Sequence, residues 1–165
     1  MLGAYPHLLV NHFPILGTIF GILILLSGII LKNDTVKQTG LATLVFAALM
    51  SAVALFTGDP AGEAVNAIPG TSEAMIDHHE NMAYMALWIL IPSGLLSAMA
   101  FYSIWKKEKG AKNLVIAAFA LSLLAAGWMA YVAKTGGQIR HSELRSQTSG
   151  IPAGQEMQKE SDDKD

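Results

Sequence analysis

The chain has 165 residues, 52% of them hydrophobic and 15% charged, with a mean hydropathy of +0.41. So much apolar surface excludes a soluble enzyme with its own large catalytic domain and points to a polytopic membrane protein. The absence of cysteine rules out disulfides, thiolate metal sites, cysteine-ligated iron–sulfur clusters and c-type haem attachment, and a net charge of -2 without a basic block speaks against nucleic acid as a partner.

Four uncharged stretches reach the roughly 20 residues that a bilayer crossing takes: 13–31, 40–57, 83–105 and 114–133. They predict an all-α fold, a polytopic membrane four-helix bundle over residues 1–145, followed by a polar tail over 146–165 whose composition predicts disorder. The first stretch is expected to remain in the mature protein, because no Lys or Arg precedes it and no small-x-small cleavage pattern follows Leu31. Within it, Gly17, Gly21 and Gly28 lie on nearly one helix face and predict close helix packing.

The short connections are basic, with Lys32 and Lys37 between spans one and two, and Lys106, Lys107, Lys109 and Lys112 between spans three and four. Residues 1–12 and the loop 58–82 carry no Lys or Arg, while that loop holds Asp59, Glu63, Glu73, Asp77 and Glu80. The positive-inside rule therefore predicts both termini and the acidic loop on the outer, periplasmic side of a bacterial inner membrane. Thr71 or Ser72 is expected to cap helix three, Pro92 to kink it, and Gly136-Gly137 to end helix four. Tyr5, Tyr84, Trp88, Trp128 and Tyr131 near the outer ends, and Tyr102 and Trp105 near the inner, read as interface anchors.

All five histidines, His7, His12, His78, His79 and His141, map to the predicted outer side, where residues far apart in sequence converge on one bundle end. Two chemistries fit. In the first, His12 and His79 give two axial nitrogens to one haem b held between diagonal helices, walled by Ile15, Leu16, Met82 and Met85, with His7, His78 and His141 as supporting groups and Arg140 meeting a propionate. That is a membrane cytochrome, exchanging single electrons with a periplasmic carrier or quinol. In the second, His12, His79 and His141 with Glu63 or Glu143 gather a first-row transition metal ion. A cofactor-free subunit of a larger membrane complex is the third reading. No phosphate loop, nucleophile elbow or complete His-Glu-x-x-His helix is present. Thr57-Gly58 and Thr135-Gly136 end helices two and four alike, so the halves read as parallel repeats, with His12 and His79 as equivalent positions.

The run Pro6-His7-Leu8-Leu9-Val10-Asn11-His12-Phe13-Pro14-Ile15 resembles the His-Pro-x-x-Val-His-Phe-Pro-Ile opening of the bacterial membrane proteins grouped as domain of unknown function 2231. Thr57-Gly58, the histidine before helix three, and Gly136-Gly137 followed by His141 are similar to that family too, although Pro6 here precedes His7 rather than following it. The resemblance, over about residues 5–143, implies a four-helix inner-membrane protein with a histidine-rich outer end. Occurrence of such families joined to cytochrome c-like domains favours electron transfer.

Overall fold

The absence of an N–H on Pro14 shapes the start of the bundle, since the carbonyl of Val10 loses its helical donor. The computed structural model describes residues 3–141 and 143–145, and in it α1 (Tyr5–Val10) is separated from α2 (His12–Ile30) by Asn11 alone. Asn11 keeps helical torsions, so the two pieces form one span from Tyr5 to Ile30. The remaining elements are α3 (Asp34–Phe56), α4 (Gly58–Asn66), α5 (Glu73–Trp105) and α6 (Ala111–Arg140). Four helices are long and apolar enough to cross a membrane.

The observed ends differ from the uncharged runs where local chemistry extends a helix. The second begins at Asp34, not Gly40, because Asn33 caps it by accepting from the Val36 N–H at 3.1 Å and Lys37 pairs with Asp34 at 2.8 Å. The third starts at Glu73 as expected, with Ser72 extended before it. Neither expected cap forms: Ser72 makes no capping bond, and Thr71 donates instead to the carbonyls of Val65 and Ile68. Pro92 lies inside α5 without ending it. Gly136-Gly137 does not end α6, which continues to Arg140. There the Arg145 guanidinium donates to the exposed carbonyls of Gln138 and Ile139 and to Gly70, a C-terminal cap supplied from beyond the helix. The predicted disordered tail, 146–165, lies outside the described residues.

At the opposite end α2 and α5 finish in the same way. Lys32 and Lys107 take left-handed torsions, with φ of 51° and 56°, and the next N–H reaches back, Asn33 to Gly28 at 3.0 Å and Glu108 to Ser103 at 2.9 Å. This bond pattern normally recruits glycine; a lysine there costs about 1–2 kcal/mol.

Around the bundle the order is α2, α3, α5, α6, so that α2 lies diagonally across from α5; α2 and α6 touch much less than α3 and α5 do. The interior is built of small residues. A Cβ on Gly40 would stand 2.5 Å from the Leu25 nitrogen, and one on Gly28 2.5 Å from the Lys37 nitrogen; Gly21 meets Leu44 and Gly17 meets Ala47. The glycine face of α2 thus lets the α3 backbone approach closely. Buried hydroxyls bond within the bundle, Thr18 to the Pro14 carbonyl, Ser97 to that of Ser93, and Ser93 across to Ser122 at 2.9 Å. The large apolar side chains face outward: Phe56 and Trp88 are each 80% exposed, while Ala47 and Ala100 are 0%. An exterior of Leu16, Phe20, Leu23, Leu95 and Leu124 is wrong for water and right for lipid, which makes the chain a multi-pass membrane protein.

The halves are parallel repeats in their burial. Pro14, Thr18, Gly21, Ile22, Leu25 and Gly28 are the buried positions of α2, and Ala86, Leu90, Ser93, Gly94, Ser97 and Ala100 are buried on α5. Each pair is separated by the same length of chain as His7 and His79. In the second helices Gly40, Leu44, Ala47 and Ser51 correspond to Ala118, Ser122, Ala125 and Met129, with the spacing of Thr57 to Thr135. The equivalent of His79 is therefore His7, not His12.

Gly40→Ala and Gly28→Ala are each expected to destabilise the bundle by about 1–3 kcal/mol, the usual cost of overpacking, seen as a lower thermal midpoint in detergent. Gly127→Ala, where a Cβ meets nothing within 4 Å, should leave the midpoint unchanged or slightly raised.

Candidate functional site

Most of the sequence-predicted ligands stay apart. His12 is exposed on α2 and makes no hydrogen bond with the described residues. His78 is exposed, its Nε2 3.3 Å from the Tyr131 hydroxyl and its ring edge-on to that tyrosine. His141 follows the last turn of α6, exposed, with Nδ1 2.8 Å from Glu143. The Glu143 carboxyl is held below the usual carboxylate range by a backbone N–H and then by this imidazole. Glu63 is exposed on α4 and Arg140 exposed at the end of α6. Among the described residues no three His, Asp or Glu side chains gather as a metal site, so the set His12, Glu63, His79 and His141 is not assembled. Of the expected apolar walls, Ile15 and Met82 pack beside Ala86, Leu90 and Met129, whereas Leu16 and Met85 face outward.

The pair the fold does build is His7 and His79. His7 stands on α1, the continuation of α2, and its Nδ1 lies 3.0 Å from the Ala54 carbonyl and 3.3 Å from Thr57 Oγ1. A carbonyl can only accept, so Nδ1 carries the proton. The Thr57 hydroxyl gives its own proton to the carbonyls of α3's last turn, which leaves Oγ1 to accept from the ring as well. His79 repeats this on α5: Nδ1 is 2.9 Å from Thr135 Oγ1, and Thr135 donates to the Val132 carbonyl at 2.9 Å. Both neutral imidazoles are thereby set in the Nδ1–H tautomer. Their Nε2 lone pairs have no hydrogen-bond partner among the described residues.

Glycine completes each cradle. The Cε1 of His7 lies 3.9 Å from where a Cβ on Gly58 would be, and that of His79 only 2.9 Å from one on Gly136. Thr-Gly therefore does more than finish a helix. The threonine orients a histidine from the neighbouring helix, and at Gly136 the missing Cβ lets the His79 ring lie against the backbone, whereas a Cβ at Gly58 would meet the His7 ring only at ordinary contact distance. The two rings stand at the same end of the bundle on diagonal elements, α1 continuing α2 and α5 opposite.

Nearby, the Trp128 indole donates to the Met82 carbonyl at 3.0 Å, tying α6 to α5 one turn beyond His79. On the loop side Asp59 and Glu80 interact through their carboxyls, with Asp77 close by. In the sequence both Thr-Gly pairs read as helix ends and as marks of a repeat, with no part in holding the histidines. The signal that could have found the cradles was their recurrence at matching distances from His7 and His79. No family model, curated protein or solved structure matches this chain.

Gly136→Ala should displace the His79 ring and Thr135→Val should remove its hydroxyl acceptor, each leaving His7 unaffected. Long-range 15N–1H correlation spectra of the imidazoles check this: the wild type should show both rings as Nδ1–H, and either variant should shift the resonances of His79 alone.

Proposed function

We propose that this protein is a small membrane electron carrier that holds one haem b between His7 and His79. The observation that carries the reading is the matched pair of imidazoles, each with Nδ1–H anchored to a helix end and Nε2 unengaged. Ligand histidines are oriented in this way, the far nitrogen's hydrogen bond setting both tautomer and ring plane. The donor set suits haem better than a bare ion, because haem needs two apposed imidazoles and apolar walls, whereas a protein-ligated metal ion needs three or four side chains and no third gathers here. When bound, haem b supplies a one-electron iron couple.

The chain's own residues do the rest. Thr57 and Thr135 orient the imidazoles, Gly136 admits the His79 ring, and Ile15 and Met82 supply apolar walls beside them. Lys32, Lys37, Lys106, Lys107, Lys109 and Lys112 sit at the far end of the bundle, against Lys134 and Arg140 at the histidine end, and by the positive-inside rule this excess favours a histidine end facing the periplasm of a bacterial inner membrane. A periplasmic carrier or a quinol at the interface is then the natural exchange partner. The resemblance to domain of unknown function 2231 runs in the same direction, through the His7 to Pro14 segment and the two Thr-Gly sites.

The test is an oxidised and dithionite-reduced absorption spectrum of protein purified in mild detergent from cells supplied with a haem precursor, beside elemental analysis. A Soret band with sharp reduced α and β bands, near one haem per chain, is the expected result. His7→Ala and His79→Ala should each lose most of the bound haem and His12→Ala should retain it. A colourless wild type, with or without stoichiometric metal, would overturn the haem reading. So would haem retained by the His7→Ala, His79→Ala double variant.

A further inference from the structure

At the opposite end from the histidines a cavity of about 520 Å³ opens where α2 and α6 diverge, within the range of about 300–1,000 Å³ usual for small-ligand sites. Lys32, Lys37, Lys107 and Lys112 line it together with Asp34 and Glu108. The two carboxylates offset only two of the four lysine charges. Asp34 is taken by Lys37 and Glu108 accepts from the Ser103 hydroxyl, while Lys32, Lys107 and Lys112 form no ion pair with the described residues. We propose that this cavity holds the phosphate of an anionic phospholipid, with the acyl chains leaving between α2 and α6.

Three features carry the proposal independently of the haem reading. Lys32 and Lys107 occupy left-handed positions where glycine is the favoured residue, and each thereby brings an ammonium to the C-terminal end of the first long helix of its half. Lys112 stands in the first turn of α6, and Gly110 supplies no side-chain cap there. The positive dipole end of a helix disfavours a cation but favours a phosphate. Finally, the wall one turn deeper is apolar, with Ile29 and Val115 inside and Ile116 about half exposed at the mouth. Free phosphate has no use for that wall; a glycerophospholipid does. Basic pockets between membrane helices recognise anionic head groups by this combination. Trp105 and Tyr102, stacked near Lys106, mark the head-group level beside it.

Native mass spectrometry of delipidated protein in neutral detergent tests this, titrating dioleoylphosphatidylglycerol, dioleoylphosphatidylcholine and inorganic phosphate separately. Phosphatidylglycerol is expected to bind at least tenfold tighter than phosphatidylcholine. Lys32→Gln with Lys112→Gln should abolish that preference, while Lys106→Gln with Lys109→Gln, which removes the same charge outside the cavity, should keep it. Equal binding of the two lipids, or equal loss in both double variants, would overturn the site. Displacement of phosphatidylglycerol by millimolar inorganic phosphate would overturn the lipid as its occupant. Thermal midpoints of both double variants, measured without added lipid, should match wild type; a large fall in the cavity variant alone would mean that the lysines hold the fold rather than a ligand.

Discussion

Helices in hydrocarbon gain nothing by hiding apolar surface from lipid, so this bundle depends on how closely its backbones can approach. Gly28 and Gly40 leave no room for a Cβ between α2 and α3, and the rest of the interior follows from that closeness. Alanine and serine line the contacts between α5 and α6, serine and threonine hydroxyls return to carbonyls one turn back, and the bulky residues are left for the exterior. A soluble bundle would be turned inside out by comparison. Here the large side chains meet lipid tails, and dispersion between small residues at short range holds the helices.

The same economy of side-chain volume creates the histidine site. The His79 ring can lie against α6 only because Gly136 offers no Cβ, while the His7 ring passes Gly58, at the equivalent position, at ordinary contact distance. The neighbouring threonine adds an acceptor at a fixed height. Because its hydroxyl proton is already committed to its own helix, it can take only the Nδ1 proton of the histidine. Two positions of backbone thus decide the tautomer of two imidazoles, and the repeat places them on opposite sides of the bundle.

The two ends of the molecule differ in chemistry, with the imidazoles at one and most of the ammonium groups at the other. At the lysine end a cavity lies among the helix ends, and the left-handed torsions of Lys32 and Lys107 bring ammonium groups to it. Both ends use the termini of helices rather than their middles. Within the bilayer depth the polar groups are hydroxyls that satisfy themselves locally, so charge is confined to the levels where water or head groups can reach it.

Composition and run length were enough to specify an all-α chain with four helices fit to cross a membrane, because a bilayer demands long uncharged stretches and little else satisfies its hydrocarbon. The spacing of Gly17, Gly21 and Gly28 likewise disclosed a contact face. Helix ends were legible only in part: Glu73 was, but the start at Asp34 and the passage of α6 through Gly136-Gly137 depend on Asn33, Lys37 and Arg145 reaching across turns. The histidines were legible as a cluster at one end and not as partners. His7 and His12 are near neighbours in sequence, and only the folded chain shows that the helix carries the first toward Thr57 while the second, five residues on, stays exposed. Periodicity within a helix says which residues share a face. Which two faces meet, and which glycine stands opposite which ring, is settled by the packing of helices distant in sequence.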